Sequence, residues 1–340
     1  MAKLRKTLEI RTSPHIVSGY DTDTIMFNVV VALAPATIFA VYSFGLAGAL
    51  VLAVAVGSCL LAEAAVARWK GSGSTLGDWS AAVTGLLYGL TLPAGLPLWM
   101  VAIGGFVAIL VGKAIFGGLG ANPFNPALVA RAVLQAAFPV AMTTWVPGFA
   151  EGRFARLPSS TLTFPFGEPT WDAVAGATPL AAWKFGGQVT GSTDLALGFV
   201  GGSTGETSAL LLLLGGAYLL ARNLMSWRVP AAIFAAVAVF SGILHALAPE
   251  RYPGPAFMLL SGGLMLGALF MATDMVTSPI SPGGAWAFGA VIGVLVVVIR
   301  VWGGMPEGVM YAILLGNALA PHLDRAFRPK VFGVARGGSR

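Results

Sequence analysis

Residues 25–44 read IMFNVVVALAPATIFAVYSF, and after Gly45 a second apolar run occupies residues 46–67. A transmembrane helix needs about 20 mostly apolar residues, so each run is long enough to span a bilayer. Glu63 is the only charged residue in either run. These stretches therefore predict a helical membrane protein in contact with lipid.

The composition of the whole chain points the same way. Of its 340 residues, 56% are apolar and only 10% are charged, whereas a soluble domain carries roughly 25% charged residues. The mean hydropathy is +0.82 and the isoelectric point is about 9.7. A soluble enzyme is thereby excluded. Because Lys and Arg of membrane proteins collect in cytoplasmic loops, the basic balance predicts no nucleic-acid partner.

Metal centres are not expected in this chain. Cys59 is its only cysteine, whereas a disulfide framework, a cysteine-based zinc site or an iron–sulfur cluster needs several. The three histidines, His15, His245 and His322, lie far apart in the sequence. We therefore predict no metal ligands.

Ten apolar stretches predict ten transmembrane helices. They are residues 25–44, 46–67, 79–92, 98–116, 126–145, 206–222, 229–248, 256–273, 285–302 and 308–322. Clusters of Lys and Arg near the span ends favour the cytoplasm, and with ten spans these clusters share one side. The cytoplasmic ends are then residues 1–24 and 323–340, and residues 146–205 form a long loop on the outer face.

The two sets of five spans, residues 25–145 and 206–322, predict an inverted repeat. An offset of 186 residues aligns Thr-Leu-Pro at 91–93 with Thr-Ser-Pro at 277–279. An odd number of spans per unit makes the second unit enter the membrane from the opposite side. The predicted fold class is an all-α polytopic membrane protein of about ten helices in two inverted repeats.

Polar breaks in the two halves are candidate ligand sites, because unpaired backbone groups at membrane depth are tolerated only beside a cavity or a ligand. The first break holds Asn122 and Asn125, whose alternative role is to cap a helix before proline. The second break holds Thr273, Asp274, Thr277 and Ser278. Their oxygens are ligands that hard cations accept. For Asp274, contact with an ion or flavin and a structural hydrogen bond remain open alternatives.

Charged residues near the span ends are expected to lie at the membrane interface. Glu63 and Glu206 are expected at the membrane interface. Lys113 is expected to extend toward the interface from a helix end. As an alternative, Lys113 and Arg131 neutralise a flavin or a carboxylate of a partner.

The long loop contains the sequence Asp172-Ala-Val-Ala-Gly176-Ala177-Thr178-Pro179-Leu. Gly176 and Ala177 leave the backbone beside Thr178 uncrowded, and Pro179 keeps the chain extended. The Thr178 hydroxyl is therefore predicted to lie on an accessible, non-helical segment. From residue types alone, a purely structural threonine remains the alternative.

This nonapeptide resembles the flavin-attachment motif of the family that contains the D subunit of the Rnf complex and the B subunit of the sodium-pumping quinone reductase. The resemblance extends to residues 13–16, 112–127, 205–208 and 271–279. Glu206 and Thr207 in the third segment are further candidate contacts. Ala175 departs from the pattern, since many members carry Ser or Thr there. The length and the short N-terminal segment favour the Rnf protein, and its quinone-reductase relative remains an alternative.

The resemblance implies a urea-transporter-like fold and an electron-transfer subunit of an ion-translocating ferredoxin:NAD oxidoreductase. It implies that Thr178 bears FMN through a phosphoester, attached by a flavin transferase on the periplasmic side of the bacterial inner membrane. Asp172 and Gly176 match the recognition positions. The implied partners are an iron–sulfur subunit, an NADH-binding subunit, a second flavinylated subunit and two small membrane subunits. The complex would move Na+ or H+, and relatives suggest a second, non-covalent flavin such as riboflavin.

Two other classes of function remain open. An inverted five-span repeat with polar breaks also describes channels and transporters for small solutes. The chain could also be a structural scaffold without a redox role. Solute flux through the flavin-free chain would support the first class, and unchanged turnover after Thr178→Ala would support the second.

Overall fold

The computed structural model describes residues 21–71, 75–165, 167, 176–206 and 208–328. Within these residues the chain is helical and contains no strand. The α-helices are α1 (Thr22–Lys70), α2 (Ser80–Leu90), α3 (Leu98–Ile109), α4 (Pro126–Ala137), α5 (Pro139–Thr143), α6 (Pro179–Gly186), α7 (Ser192–Leu197), α8 (Ala209–Ala221), α9 (Arg228–Leu247), α10 (Pro255–Leu260), α11 (Leu264–Leu266), α12 (Pro282–Trp302) and α13 (Val309–Ala326). A 3₁₀ turn spans Leu76–Asp78, and π-helical segments span Leu110–Ala114 and Gly267–Met271. Asp172, Thr207 and residues 13–16 lie outside the described residues.

Three helices, α1, α9 and α12, are long and apolar enough to cross a membrane. Four shorter apolar helices coincide with the predicted third to sixth spans: α2, α3 with its π continuation, α4 and α8. The predicted tenth span coincides with α13. The described chain is therefore an all-helical membrane protein, as the sequence predicts.

A sharp bend in α1 lies at Gly45, where the sequence predicts the boundary between the first two spans. Gly45 has φ 63° and ψ −140°, a conformation that only glycine adopts readily. The bend leaves backbone groups without helical partners, and Arg153 of the long loop satisfies two of them. Its carbonyl accepts from the Leu46 N–H at 3.0 Å, and its Nε donates to the Tyr42 carbonyl at 2.8 Å. The predicted boundary is thus confirmed.

Two predicted spans are interrupted rather than continuous. The predicted span at 126–145 is interrupted at Phe138, because Pro139 lacks the N–H that would extend α4 and instead begins α5. The predicted span at 256–273 is broken at residues 261–263, and the middle residue is a glycine with φ 62°. This second break contributes to the site described below.

At an offset of 186 residues, α3 aligns with α12 and α4 aligns with α13, and the inverted repeat itself stays a prediction. That offset pairs residues 91–93, at the end of α2, with residues 277–279, in the turn before α12. A different pattern repeats 156 residues apart: Asn-Pro-Phe-Asn-Pro at 122–126 and Ser-Pro-Ile-Ser-Pro at 278–282. Each follows a π-helical segment and begins a helix, and its second polar residue caps that helix.

Close helix packing in both halves depends on small residues. Gly85 of α2 faces the backbone of α1, where a Cβ would lie 2.7 Å from the Val56 Cα. Gly289 and Gly293 of α12 face α9, and a Cβ at the first would lie 2.6 Å from the Val229 carbonyl oxygen. These contacts leave no room for larger side chains, so they fix α2 on α1 and α12 on α9.

The long loop before α8 contains α6 and α7 and is attached to the bundle at two places. Residues 146–165 contact the bend of α1, where the Phe149 N–H donates to the Ser43 carbonyl at 2.8 Å. Further along, the Thr204 N–H donates to the Leu92 carbonyl at 3.0 Å. Backbone hydrogen bonds to the bundle are therefore present both before and after Thr178 in the loop.

Candidate functional site

A cavity of about 430 Å³ adjoins Thr178 and is here called the Thr178 cavity. Its apolar lining includes Met142, Trp145, Leu180, Phe185, Leu260 and Met310. Its polar lining includes Arg131, Gln135, Thr143, Thr178, Glu206, Glu307 and Tyr311. A largely apolar cavity of this size with a few convergent polar groups is the usual form of a small-molecule site.

Thr178 is the N-cap residue of α6. Its backbone is extended, with φ −68° and ψ 154°, and its Oγ1 accepts from the Ala181 N–H at 3.2 Å. Pro179 is the first helical residue, a position that suits proline because an N–H there has no helical acceptor. The prediction that Pro179 keeps the chain extended is therefore wrong beyond Thr178. The prediction of a partly exposed, non-helical Thr178 beside Gly176 and Ala177 is confirmed.

The apolar face of α6 packs on the second half of the bundle. Leu180 is buried in a cluster with Leu195 and Phe257. The rings of Trp183 and Phe257 meet edge to face, with their centres 6.2 Å apart. Helix α6, and with it Thr178, is thus held against α10.

Lys184 attaches α6 to the C-terminal end of α12. Its Nζ donates to the carbonyls of Arg300 at 2.9 Å, Gly303, and Met305 at 3.1 Å. The last carbonyls of a helix lack helical donors, and the helix dipole favours a cation beside them. Burial lowers the pKa of the Lys184 ammonium. Three carbonyl acceptors match the three donors of this group.

A buried and a partly buried ion pair lie beside the Thr178 cavity. Arg131 Nη1 lies 2.8 Å from Glu206 Oε1, and Arg300 Nη2 lies 3.3 Å from Glu307 Oε1. Arg300 is completely buried and also donates to the Met258 carbonyl at 2.6 Å. The ion pair holds the Glu206 carboxylate inside the bundle, and its position at the level of the membrane interface stays a prediction.

The break between α10 and α11 brings both carboxylates against the backbone. A Cβ at Gly262 would overlap Glu307, and one at Gly263 would overlap Glu206. The Gly263 N–H donates to Glu307 Oε2 at 3.1 Å. Burial alone would raise the pKa of Glu307, but the two arginines and the backbone N–H donors lower it below its ordinary value. Glu307 is accordingly a carboxylate at neutral pH.

A second cavity of about 100 Å³, the Asp274 cavity, adjoins the N-terminal end of α4. The predicted residues Asn122, Asn125, Thr273 and Asp274 line it. Asn125 caps α4 by accepting from the Ala127 N–H at 3.0 Å, and its Nδ2 donates to the Met271 carbonyl at 3.3 Å. The two polar breaks therefore meet. About 9 Å of α4 separates Asn125 from Arg131 at the other cavity.

Asp274 stabilises the turn that precedes α12. Its Oδ1 accepts from the Val276 N–H at 3.2 Å, and its Oδ2 accepts from the Thr277 hydroxyl at 3.4 Å. Its carbonyl accepts from the Ser278 N–H at 3.1 Å. The structural hydrogen bond is thus confirmed for Asp274, and its side chain also lines the cavity. Thr277 and Ser278 line neither cavity.

Lys113 and Glu63 form a further buried ion pair, next to the Asp274 cavity. Their Nζ and Oε1 atoms lie 2.9 Å apart. Lys113 also donates to the Ser80 hydroxyl at 2.7 Å, and Glu63 accepts from the Thr75 hydroxyl at 2.8 Å. The Lys113 side chain is therefore buried rather than extended from the helix end, and the location of Lys113 and Glu63 at the level of the interface stays a prediction. The π-helical turn at residues 110–114 directs Lys113 inward instead.

Sequence reasoning identified one side of each cavity and missed the other. The residues it missed at the Thr178 cavity are Gln135, Lys184, Arg300 and Glu307. For Gln135 a signal existed, because it and Arg131 are the only polar residues of α4 and are spaced to share one helix face. No sequence pattern around Lys184 or Glu307 distinguishes them from charged residues of an ordinary surface loop.

The sequence profile of the NQR2, RnfD, RnfE family matches residues 9–333. The D subunit of an ion-translocating oxidoreductase complex from Halorhodospira halophila is 40% identical, with 97% of each chain covered. The D subunit of a proton-translocating ferredoxin:NAD(+) oxidoreductase complex from Clostridium ljungdahlii is 38% identical over 98% of this chain and 99% of the relative. The D subunit of a Na(+)-translocating ferredoxin:NAD(+) oxidoreductase complex from Acetobacterium woodii is 38% identical over 97% and 96%. The similarity therefore includes both cavities.

Proposed function

Because this chain belongs to the NQR2, RnfD, RnfE family, we propose that it is an electron-transfer subunit of an ion-translocating ferredoxin:NAD oxidoreductase complex. Two of its relatives are named as subunits of such complexes, one translocating protons and the other Na+. With Cys59 as its single cysteine, the chain cannot bind an iron–sulfur cluster by itself. Other subunits must therefore supply those carriers.

The observation that carries this proposal is the position of Thr178 at the N-cap of α6 and beside the Thr178 cavity. We propose that its hydroxyl bears FMN through a phosphoester. A phosphate on Oγ1 would meet the N-terminal N–H groups of α6, which favour an anion. The cavity volume of about 430 Å³ lies within the range of ligand sites. Its apolar walls and few polar groups suit a planar ring with one polar edge.

The residues of the chain would position such a cofactor and shield it from water. When bound, a flavin supplies redox chemistry, since it accepts two electrons and can release them singly. Lys184 and Leu180 fix α6 and thereby Thr178. Trp145 and Phe185 line the cavity and would pack against the bound ring. Arg131 places a positive charge at the wall, partly compensated by its buried partner.

We further propose ten membrane-crossing segments in two inverted sets of five, in a urea-transporter-like arrangement. Counting α1 as two segments gives five up to α4, and counting α10 with α11 as one gives five from α8. The offset of 186 residues supports related halves, because it aligns α3 with α12 and α4 with α13, the fourth and fifth segments of each set. Lys70 ends α1 and Arg325 lies in the last turn of α13, which supports cytoplasmic ends and a periplasmic Thr178.

The proposed partners follow from this placement. A flavin transferase would modify Thr178 from the periplasmic side of the bacterial inner membrane. Iron–sulfur, NADH-binding, second flavinylated and small membrane subunits would complete the electron path. We propose no particular ion, because the relatives' names include both proton- and Na+-translocating complexes.

A non-covalent riboflavin is not accommodated by the Asp274 cavity as it stands. Its volume of about 100 Å³ is below the roughly 300–1,000 Å³ of ligand sites, although Asn122, Asn125 and Asp274 offer suitable polar groups. The presence of a second flavin therefore stays a prediction.

A solute channel remains the second candidate function, because the two cavities lie along one helix with about 9 Å of α4 between them. Flux distinguishes the two functions. Solute conductance by the purified, flavin-free chain in liposomes would favour a channel. Dependence of ferredoxin:NAD activity on Thr178 would favour electron transfer.

The test compares Thr178→Ala with Thr193→Ala in the assembled complex. Thr193 lies in α7 of the same loop, is exposed and does not line the Thr178 cavity. We expect Thr178→Ala to abolish the flavin fluorescence of this subunit in a denaturing gel and the ferredoxin:NAD activity, while the subunits still copurify. Thr193→Ala should retain both signals. Full activity of an assembled Thr178→Ala complex would contradict the proposal.

A further inference from the structure

Gln135 is a polar side chain that lines the Thr178 cavity and has no hydrogen-bond partner among the described residues. Gln135 of α4 is 8% exposed and lines the cavity. Its amide makes no hydrogen bond to any described residue. A glutamine amide has two N–H donors and a carbonyl acceptor, and burying such a group without partners is costly. The amide atoms open onto the cavity, so a ligand that fills the cavity would bury them and has to offer them partners.

The charged groups of the cavity, unlike the neutral amide of Gln135, already have protein partners. Arg131 pairs with Glu206, and Glu307 pairs with Arg300. Thr178 Oγ1 accepts from the backbone of α6. The amide of Gln135 is therefore the nine-tenths buried group that remains available to a ligand.

The neighbourhood of Gln135 indicates which ligand chemistry it would recognise. Arg131 lies one helical turn earlier, so both side chains share a face of α4, and its guanidinium has five donors. Arg131 and Gln135 together present several hydrogen-bond donors and one acceptor from one face of α4. Glu206 and Glu307 line the same cavity, which disfavours an anionic ligand edge. A neutral imide-like edge, with alternating carbonyl and N–H groups, matches this arrangement.

We propose that Gln135 binds the imide edge of the ring that occupies the Thr178 cavity. The pyrimidine side of an isoalloxazine ring is such an edge, so the identification of the ring rests on the proposed function. The contact itself rests on the cavity and on the unpaired amide. Gln135 is thus a ring-binding residue, and Thr178 is the point of attachment.

The test measures ring binding without covalent attachment. The full-length chain with Thr178→Ala is purified in detergent and titrated with lumiflavin, which carries the ring but no phosphate, and binding is followed by quenching of flavin fluorescence. The variant Gln135→Met keeps the length of the side chain but removes its donors and acceptor. The control is Gln188→Met, because Gln188 is exposed and does not line the cavity.

We expect lumiflavin to bind, Gln135→Met to weaken binding about tenfold, and Gln188→Met to leave it unchanged. If Gln135→Met does not fold, protection of a Gln135→Cys side chain from maleimide by lumiflavin, in a Cys59→Ala background, tests whether the ring binds next to position 135, and no protection would overturn the inference. Equal binding by Gln135→Met, or no lumiflavin binding with Gln135 intact, would overturn the inference. Mass spectrometry of Thr178 separates the two proposals: FMN on Thr178 with no role of Gln135 overturns only this one.

Discussion

Arg131 Nη1 and Glu206 Oε1 lie 2.8 Å apart and join α4 of the first half to the residues that lead into α8 of the second. Both side chains are 8% exposed. A buried pair is stabilising only while both partners are present, because a single remaining charge is left without compensation. This pair therefore holds the halves together beside the Thr178 cavity.

A double-mutant cycle on this pair tests that role. We expect Arg131→Met and Glu206→Gln each to lower the free energy of unfolding by about 3–5 kcal/mol. The double variant should lose less than the sum, because it leaves no unpaired charge. Unfolding of the detergent-solubilised chain by SDS measures the effect, with exposed Glu250→Gln as the neutral control. Strictly additive losses would show that the two residues do not interact.

Substitution of Gly45 tests the bend in α1. We expect Gly45→Ala to destabilise the chain by about 1–3 kcal/mol from its positive φ alone, with a further loss because its Cβ would overlap the Arg153 carbonyl. Gly57→Ala is the control in the same helix, because a Cβ there meets nothing within 4 Å. Thermal unfolding and cleavage of the loop near Arg153 by trypsin measure the two effects. Equal behaviour of both variants would refute this account of the bend.

Removal of the Lys184 ammonium tests whether it fixes α6. With Thr178→Cys spin-labelled in a Cys59→Ala background, we expect Lys184→Met to increase the mobility of the label, because three carbonyls lose their donor. Lys184→Arg should retain part of the immobilisation. Lys70→Met, at the exposed end of α1, controls for loss of charge. An unchanged spectrum for Lys184→Met would mean that apolar packing alone holds α6.

The ion pair at the other cavity gives an independent prediction. Lys113→Met should lower the free energy of unfolding by about 3–5 kcal/mol, since Glu63 would keep only the Thr75 hydroxyl as a side-chain donor. Adding Glu63→Gln should recover part of that loss. SDS unfolding again provides the measurement. If Lys113→Met proves neutral, the pair is not buried in the membrane-embedded protein.

Much of the fold could be predicted from local sequence. Apolar runs of sufficient length predicted most of the helices, and Gly45 marked the division of α1 because no other residue readily adopts its conformation. The break at residues 261–263 was not predictable in the same way. Its two glycines are adjacent, and the positive φ of Gly262 and the approach of Glu206 and Glu307 explain their requirement only once the structure is known.

The candidate site was predictable where a motif surrounds it. Thr178 stands out because Gly176, Ala177 and Pro179 define a local pattern. Lys184 acts through contacts with a segment far away in the sequence, so it could not be assigned before the structure was known, whereas Gln135 shares a face of α4 with Arg131. The ion pair of Lys113 was hidden for a further reason. A π-helical turn changes the face on which a side chain lies.

The attachment of FMN at Thr178 is the central claim, and peptide mass spectrometry tests it most directly. The chain is expressed in cells that contain the flavin transferase, purified and digested. We predict that the peptide containing Thr178 gains the mass of one FMN less one water, with fragment ions placing the gain on Thr178. An unmodified Thr178 from such cells would contradict the account.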